Sequence, residues 1–184
     1  MNQTAIIVVD LEATCWGPGD PDAGSNEIIE IGAVRVDPQT LDPIDDFQSL
    51  VRPVRYPVLS EFCVGLLSIT QAEVDGADPF PAVWPRFLKW CERPETVTIA
   101  CWGANDVPML LRDCEYHRLE YPFNTEYINL KKRFAERHEG KKVGMKRALQ
   151  MLDIPLKGTH HRALADARNI CRILQKLRLN GEPA

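Results

Sequence analysis

The sequence reads as an α/β protein built on a mixed sheet. Three strands form an antiparallel meander, further strands run parallel, and helices cover both faces. Three features lead there. Segments 5–15, 27–36 and 45–51 are apolar or alternating, and their connections are too short to hold a crossover helix. From residue 79 onward, extended segments alternate with amphipathic ones of helical length, the rhythm that places strands in parallel. A long amphipathic segment at 162–179 closes the chain and needs a sheet to pack on.

In chain order, Ile6 to Val9 is a β-branched apolar run that reads as a strand buried on both faces, ending in Asp10 and Glu12. Trp16 to Ser25, rich in Gly, Pro and Asp, reads as a surface loop. Glu27 to Val36 and Asp45 to Val51 are the second and third strands, with Pro38, Pro43 and Pro53 marking the turns. Leu59 to Thr70 reads as a short helix and turn, after which T-Q-A-E makes a capping box of Thr70 and Glu73. Phe80, Val83, Trp84, Phe87, Leu88 and Cys91 fall at helical spacing in 79–93, with Pro85 able to delay the helix start by a turn. Thr96 to Trp102 is a fourth strand and Asn105 to His117 a helix. Tyr127 to Leu130 is a short fifth strand, and 130–138 and 144–152 are further helices. In the last segment Leu164, Ala167, Ile170, Cys171, Leu174 and Leu177 form one stripe.

A length of 184 residues suits one domain, 1–184, with its core at about 5–179. With 45% hydrophobic and 26% charged residues the composition is that of a soluble globular protein. No apolar run approaches bilayer length, and the N-terminus lacks the pattern of a signal peptide. Six cysteines without C-x-x-C spacing suggest neither a disulfide framework nor a zinc knuckle, so a reducing cytoplasm is the expected location.

A net charge of −4 argues against a protein that coats nucleic acid, yet the charge is uneven. Residues 1–48 hold ten acids against Arg35 alone. Between Lys131 and Arg147 eight bases face Glu136 and Glu139, a segment that could track phosphates or serve as a solvated helix face.

Side chains two apart on a strand share a face, so Asp10 and Glu12 stand side by side. Two adjacent anions at the end of a core strand either reach solvent or share a cation. Asp106 follows the fourth strand in C-W-G-A-N-D. A strand lying beside the first would deliver Asp106 to the same edge, although helix capping also explains an acid there. Asp166 lies early in the last helix, five residues after His161. Together these four carboxylates offer the hard oxygen ligands that Mg²⁺ or Mn²⁺ prefers, without the Cys or His cluster of a zinc site.

The set resembles the three motifs of the DEDDh 3′-to-5′ exonucleases, which have the ribonuclease H-like fold. D-L-E-A-T-C, E-I-I-E-I-G-A-V, L-S-E-F-C, I-T-Q-A-E-V-D-G-A and H-H-R-A-L-A-D-A-R-N-I resemble the Eri-type (3′ histone-mRNA exonuclease) branch, over about 5–177. The resemblance implies that Asp10, Glu12, Asp106 and Asp166 bind two Mg²⁺ ions, with Mn²⁺ as a substitute. It makes His161 the general base and leaves His160 a bystander. Arg162 stands where the sister DEDDy group has its tyrosine, which excludes that variant. Phe62, Ala13 and Thr14 become the substrate contacts. The ring of Phe62 is suited to stack on any base, while its residue type alone equally allows burial under the sheet edge.

The implied activity is metal-dependent 3′-to-5′ hydrolysis of single-stranded nucleic acid to nucleoside 5′-monophosphates, on RNA by the intervening motifs. The alternatives are the same chemistry on DNA and a non-catalytic, nuclease-like regulator. Nothing in the sequence specifies a protein partner. Two departures from the family pattern bear on substrate grip: Leu67-Ser68 replaces Thr-Gly, and Asn105 stands where an aromatic is common.

Overall fold

The structure is a computed structural model that describes residues 5–20, 23 and 26–178. Part of the expected 16–25 loop, and Leu179, lie outside the described residues. The elements run β1 (Ala5–Ala13), β2 (Ile28–Val36), β3 (Pro43–Leu50), α1 (Glu61–Leu67), α2 (Gln71–Asp75), α3 (Phe80–Cys91), β4 (Val97–Cys101), α4 (Asp106–Tyr116), β5 (Ile128–Asn129), α5 (Leu130–Arg137), α6 (Met145–Met151) and α7 (Ala163–Arg178), with a 3₁₀ turn at Pro94–Thr96 before β4. The sheet order is β3-β2-β1-β4-β5. β3, β2 and β1 pair antiparallel, and β4 and β5 join parallel. This is the expected mixed sheet, and it makes the fold ribonuclease H-like.

β1 lies at the centre of the sheet and explains its own composition. Ile6 and Val8 point to one face, into a core made with α5, α6 and α7. Ile7 and Val9 point to the other, among α3, α4 and the neighbouring strands. With both faces covered, the strand has no polar alternation until Asp10. Three local features differ from the sequence reading. β1 continues through both acids to Ala13, because backbone pairing of Glu12 with Glu30 carries the strand past them. Pro85 sits inside α3 instead of delaying it, and Pro79 occupies the N-cap position. The 67–68 departure leaves the turn intact, since Ser68 adopts the left-handed C-cap conformation (φ 52°, ψ 33°) that favours glycine. The capping box at Thr70 and Glu73 forms as read.

A close approach between sheet and helix positions the site. A Cβ on Gly32 would fall 2.1 Å from the Leu164 nitrogen and 2.2 Å from the Ala163 carbonyl carbon, so the first turn of α7 rests on bare β2 backbone. All six cysteines are free thiols. No helix among the described residues is long and apolar enough to cross a membrane.

Candidate metal centre

β1 carries Asp10 and Glu12 on the face covered by α7. Gly32 lies opposite Asp10 in the β1–β2 register, so the helix start that rests on Gly32 brings Asp166 over the pair. Asp10, Glu12 and Asp166 each offer a carboxylate oxygen, and these three oxygens lie within 4.8 Å of one another. Glu12 and Asp166 are buried, and part of Asp10 reaches solvent. A pairing irregularity directly after Glu12 turns the strand away at the site.

Asp106 arrives from the other side, at the start of α4 after parallel β4. Its carboxylate accepts from the Leu11 N–H, its own N–H and the Cys101 thiol. It stands outside the group of three, yet near enough for its charge to act on Asp10.

Burial and mutual repulsion set the protonation of these acids. Loss of hydration raises Asp10 well above the usual carboxylate range, and the charges of Asp106, Glu12, Asp166 and Glu30 add to it. Burial, then Asp166 and Glu30, pushes Glu12 up to about 8. Asp106 rises to about 6, chiefly through burial, against its three donors.

Asp166 shows what the cluster lacks. Its Oδ2 accepts from the His161 N–H at 3.0 Å and meets His160 Nδ1 at 2.8 Å. Its Oδ1 is buried without a hydrogen-bond partner. An orphaned carboxylate oxygen beside two crowded carboxylates is the arrangement a divalent cation satisfies, so this donor set fits a hard metal ion.

His161 holds a left-handed backbone (φ 62°), a strained conformation that persists only where the surroundings impose it. Burial, with His160 and Lys146 nearby, lowers its pKa below the ordinary value, so its imidazole is neutral at pH 7. His160, expected to be a bystander, instead touches Asp166. Its ring stacks face to face on that of His161 at 3.9 Å and 21°, and the two imidazoles and Asp166 each offer a ligand atom within 4.8 Å of the others.

Phe62 is 44% exposed on α1 and lies over Gly17 in the loop after β1, so it is not a core residue. α1 is clasped to the segment that leaves β1. Ser60 Oγ caps the helix by accepting from the Cys63 N–H and donates to the Cys15 carbonyl at 2.6 Å. The Cys15 and Cys63 thiols hydrogen-bond each other. Ala13 is half-buried, whereas Thr14 turns inward. The Thr14 hydroxyl accepts from the Glu27 N–H at 3.0 Å, which closes the β1–β2 connection and takes this side chain away from the open face where substrate contact was expected. Asn105 precedes α4 and caps nothing with its side chain.

A family model described as Exonuclease matches residues 7–174 of the chain. The chain belongs to the exonuclease family. Over 185 residues it is 35% identical to "3'-5' exoribonuclease 1" of Rattus norvegicus, covering 96% of this chain and 53% of that protein, so it spans about half the length of this relative. It is 30% identical over 170 residues to "Probable 3'-5' exonuclease KapD" of Bacillus subtilis (strain 168), covering 91% and 81%. Among solved structures, the nuclease domain of 3′hExo, described as a DEDDh family member bound to rAMP, superposes with a TM-score of 0.87 at 32% identity, covering 97% of this chain and 94% of that one. Exonucleases of this DEDD type depend on divalent metal, which accords with the donor set around Asp166.

Proposed function

We propose that this chain removes nucleotides one at a time from the 3′ end of single-stranded RNA, with Mg²⁺ as the metal and nucleoside 5′-monophosphates as products. The observation that carries this reading is the convergence of Asp10, Glu12 and Asp166, with carboxylate oxygens within 4.8 Å of one another and an Asp166 oxygen buried without a partner. A catalytic-metal reading explains the expense of the arrangement, because a pure binding module has no physical need for crowded carboxylates. The likeness to 3′-5′ exoribonucleases favours RNA.

In this reading Asp10, Glu12, Asp166 and Asp106 hold two divalent ions. Such ions supply charge neutralisation for the scissile phosphate and a water acidified to near neutral pH. His161, neutral and partly open to solvent, takes the proton of the attacking water, a role worth about 10²–10⁴-fold. Asp166 and His160 hold the segment that carries it. Phe62, exposed over Gly17, offers its ring face to the terminal base. Ala13 lines the approach along β1.

The test is direct. Single-stranded RNA, single-stranded DNA and 3′-recessed duplexes, labelled at the 5′ end, are incubated with Mg²⁺ or Mn²⁺. The expected result is a ladder shortening from the 3′ end, faster on RNA and abolished by EDTA. No shortening of any substrate would overturn the enzyme reading. Faster cleavage of DNA would overturn the substrate assignment.

A further inference from the structure

Register places a fifth acid beside the cluster. Glu30 pairs with Glu12 across β1 and β2, is 0% exposed, and its charge reaches both Asp10 and Glu12. Unlike Asp166, its oxygens are fully engaged. Arg162 Nε lies 3.2 and 3.3 Å from the two of them, and Arg162 Nη2 donates to Oε1 at 3.1 Å. Gln48 Nε2 donates to Oε1 at 2.7 Å, and the Ala163 N–H donates to Oε2 at 3.0 Å. Each Glu30 oxygen therefore has a protein donor, and a guanidinium balances the charge.

Arg162 sits at a critical point of the chain. It directly follows His161 with its left-handed backbone. Its carbonyl accepts the Asp166 N–H at 3.0 Å, the bond that opens α7. Its Nη1 also lies 3.8 Å from Glu73, so one side chain ties β2, α2 and the start of α7 together.

We propose that Arg162, clamped by Glu30, is a positioning residue of the metal centre: the pair pins the His161 backbone and the first turn of α7 to β2, and so fixes where Asp166 presents its free oxygen. The strand that anchors Arg162 is the one paired with the strand bearing Asp10 and Glu12. Both halves of the centre are thus referenced to one rigid ladder. The strained His161 backbone needs such an anchor, since strain is held only where neighbouring contacts over-determine it. The same clamp keeps Glu30, the nearest competing carboxylate, from turning toward the ion. This inference rests on reading Asp166 as a metal ligand.

The experiment compares the full chain with Arg162→Met, Glu30→Gln and the double variant, which removes both charges and leaves no buried charge without its partner. Calorimetric titration with Mn²⁺, without substrate, reads the centre itself. Single-stranded RNA cleavage reads kcat and KM separately, and thermal melts report the folded fraction. Each single variant is expected to weaken Mn²⁺ binding by roughly 10–100-fold, the scale of lost outer support at a metal site. A similar fall in kcat with KM changed less than about threefold is expected, because the lost support acts on the reacting centre and not on substrate grip. The double variant is expected to lose no more than the worse single one, since the two residues act as a unit.

Unchanged Mn²⁺ affinity in the folded double variant would overturn the proposal. So would additive losses, or a Glu30→Gln protein that binds fewer Mn²⁺ ions, which would make Glu30 a ligand. A wild-type chain that binds Mn²⁺ and cuts nothing would sink the proposed activity while leaving the titration to decide the role of Arg162. A wild-type chain that binds no Mn²⁺ would overturn both.

Discussion

Asp10 and Glu12 are held where neither is comfortable as an anion. Their folded pKa values are raised, Glu12 to about 8 and Asp10 in the same direction, both mainly by burial. An acid that is harder to ionise in the folded state binds more protons there than in the unfolded chain. Its destabilising effect is therefore absent below the unfolded pKa and complete above the folded one. His161 and His117 are lowered and act oppositely, but that effect is spent above the ordinary histidine pKa of about 6.5. Between about pH 6.5 and 8.5 the raised carboxyls should thus cost the metal-free protein stability as pH rises, while the Cys63 thiol, lowered to about 7 by its hydrogen bond with Cys15, acts in the opposite sense. Glu12, releasing its proton near pH 8, contributes about 2 kcal/mol of this loss over the window, and so a fall in Tm of about 5 °C. Thermal melts in EDTA of the wild-type chain and of Glu12→Gln would measure it by difference, and Mg²⁺ or Mn²⁺ at pH 8 should reverse it in the wild type. A Glu12→Gln chain whose metal-free Tm changes through this window just as the wild type's does would contradict the crowded arrangement. By the same physics Asp10→Asn should raise the metal-free Tm while abolishing metal-dependent cleavage. An active Asp10→Asn protein would remove Asp10 from the proposed centre.

Elements carry the site, and two glycine-related positions show how closely they fit. At Gly32 the first turn of α7 lies 2.1 Å from where a Cβ would be, and the opposing atoms are backbone and cannot rotate away. Gly32→Ala should therefore cost at least about 3 kcal/mol, the upper range of overpacking. It should also weaken Mn²⁺ binding by moving Asp166. A folded Gly32→Ala chain with unchanged Tm would mean that the helix start is not fixed there. Ser68 presents the opposite case, a side chain in a left-handed C-cap. Ser68→Gly should gain about 1 kcal/mol, or about 3 °C in Tm, with activity unchanged. A lower Tm would show that the serine makes a compensating contact.

The same elements show what the sequence could and could not reveal. The runs Ile6–Val9 and Ile28–Val36, the T-Q-A-E box and the last helical stripe were readable because periodicity and capping are local. The meeting of Glu12 with Glu30, the contact of α7 with Gly32 and the turn of His160 onto Asp166 were not. They depend on strand register, on a sheet-to-helix distance and on a positive φ at His161, none of which local pattern encodes.

At the scale of the molecule, the uneven charge of the sequence acquires a direction. The acids of the N-terminal part include those gathered at β1 and β2, while the bases of 131–147 are set out on α5, the following loop and α6. Lys132, Arg133, Lys141, Lys142, Lys146 and Arg147 are exposed, and Lys146 at the start of α6 is near enough to act on His161. Lys146 at least therefore stands close to the proposed centre. A chain of net charge −4 repels a polyanion at long range, so a strand threading its 3′ end toward the carboxylates needs a local positive track along its phosphates. Lys141 and Lys142 are suited to test this. Both are exposed, and the ion pair of Lys141 with Glu139 at 3.0 Å joins two exposed groups and contributes little to stability. For a single strand each neutralised phosphate contributes about 0.7 to the slope of log K against log salt. Lys141→Gln combined with Lys142→Gln should thus reduce that slope by about 1.4 and weaken RNA binding most at low salt, with Tm and Mn²⁺ affinity unchanged. Fluorescence anisotropy with a single-stranded RNA, on an Asp10→Asn background that prevents cleavage, gives the slope. An identical slope in the two proteins would return the pair to an ordinary solvated surface and would leave Lys146, beside His161, as the place where the phosphate track has to start.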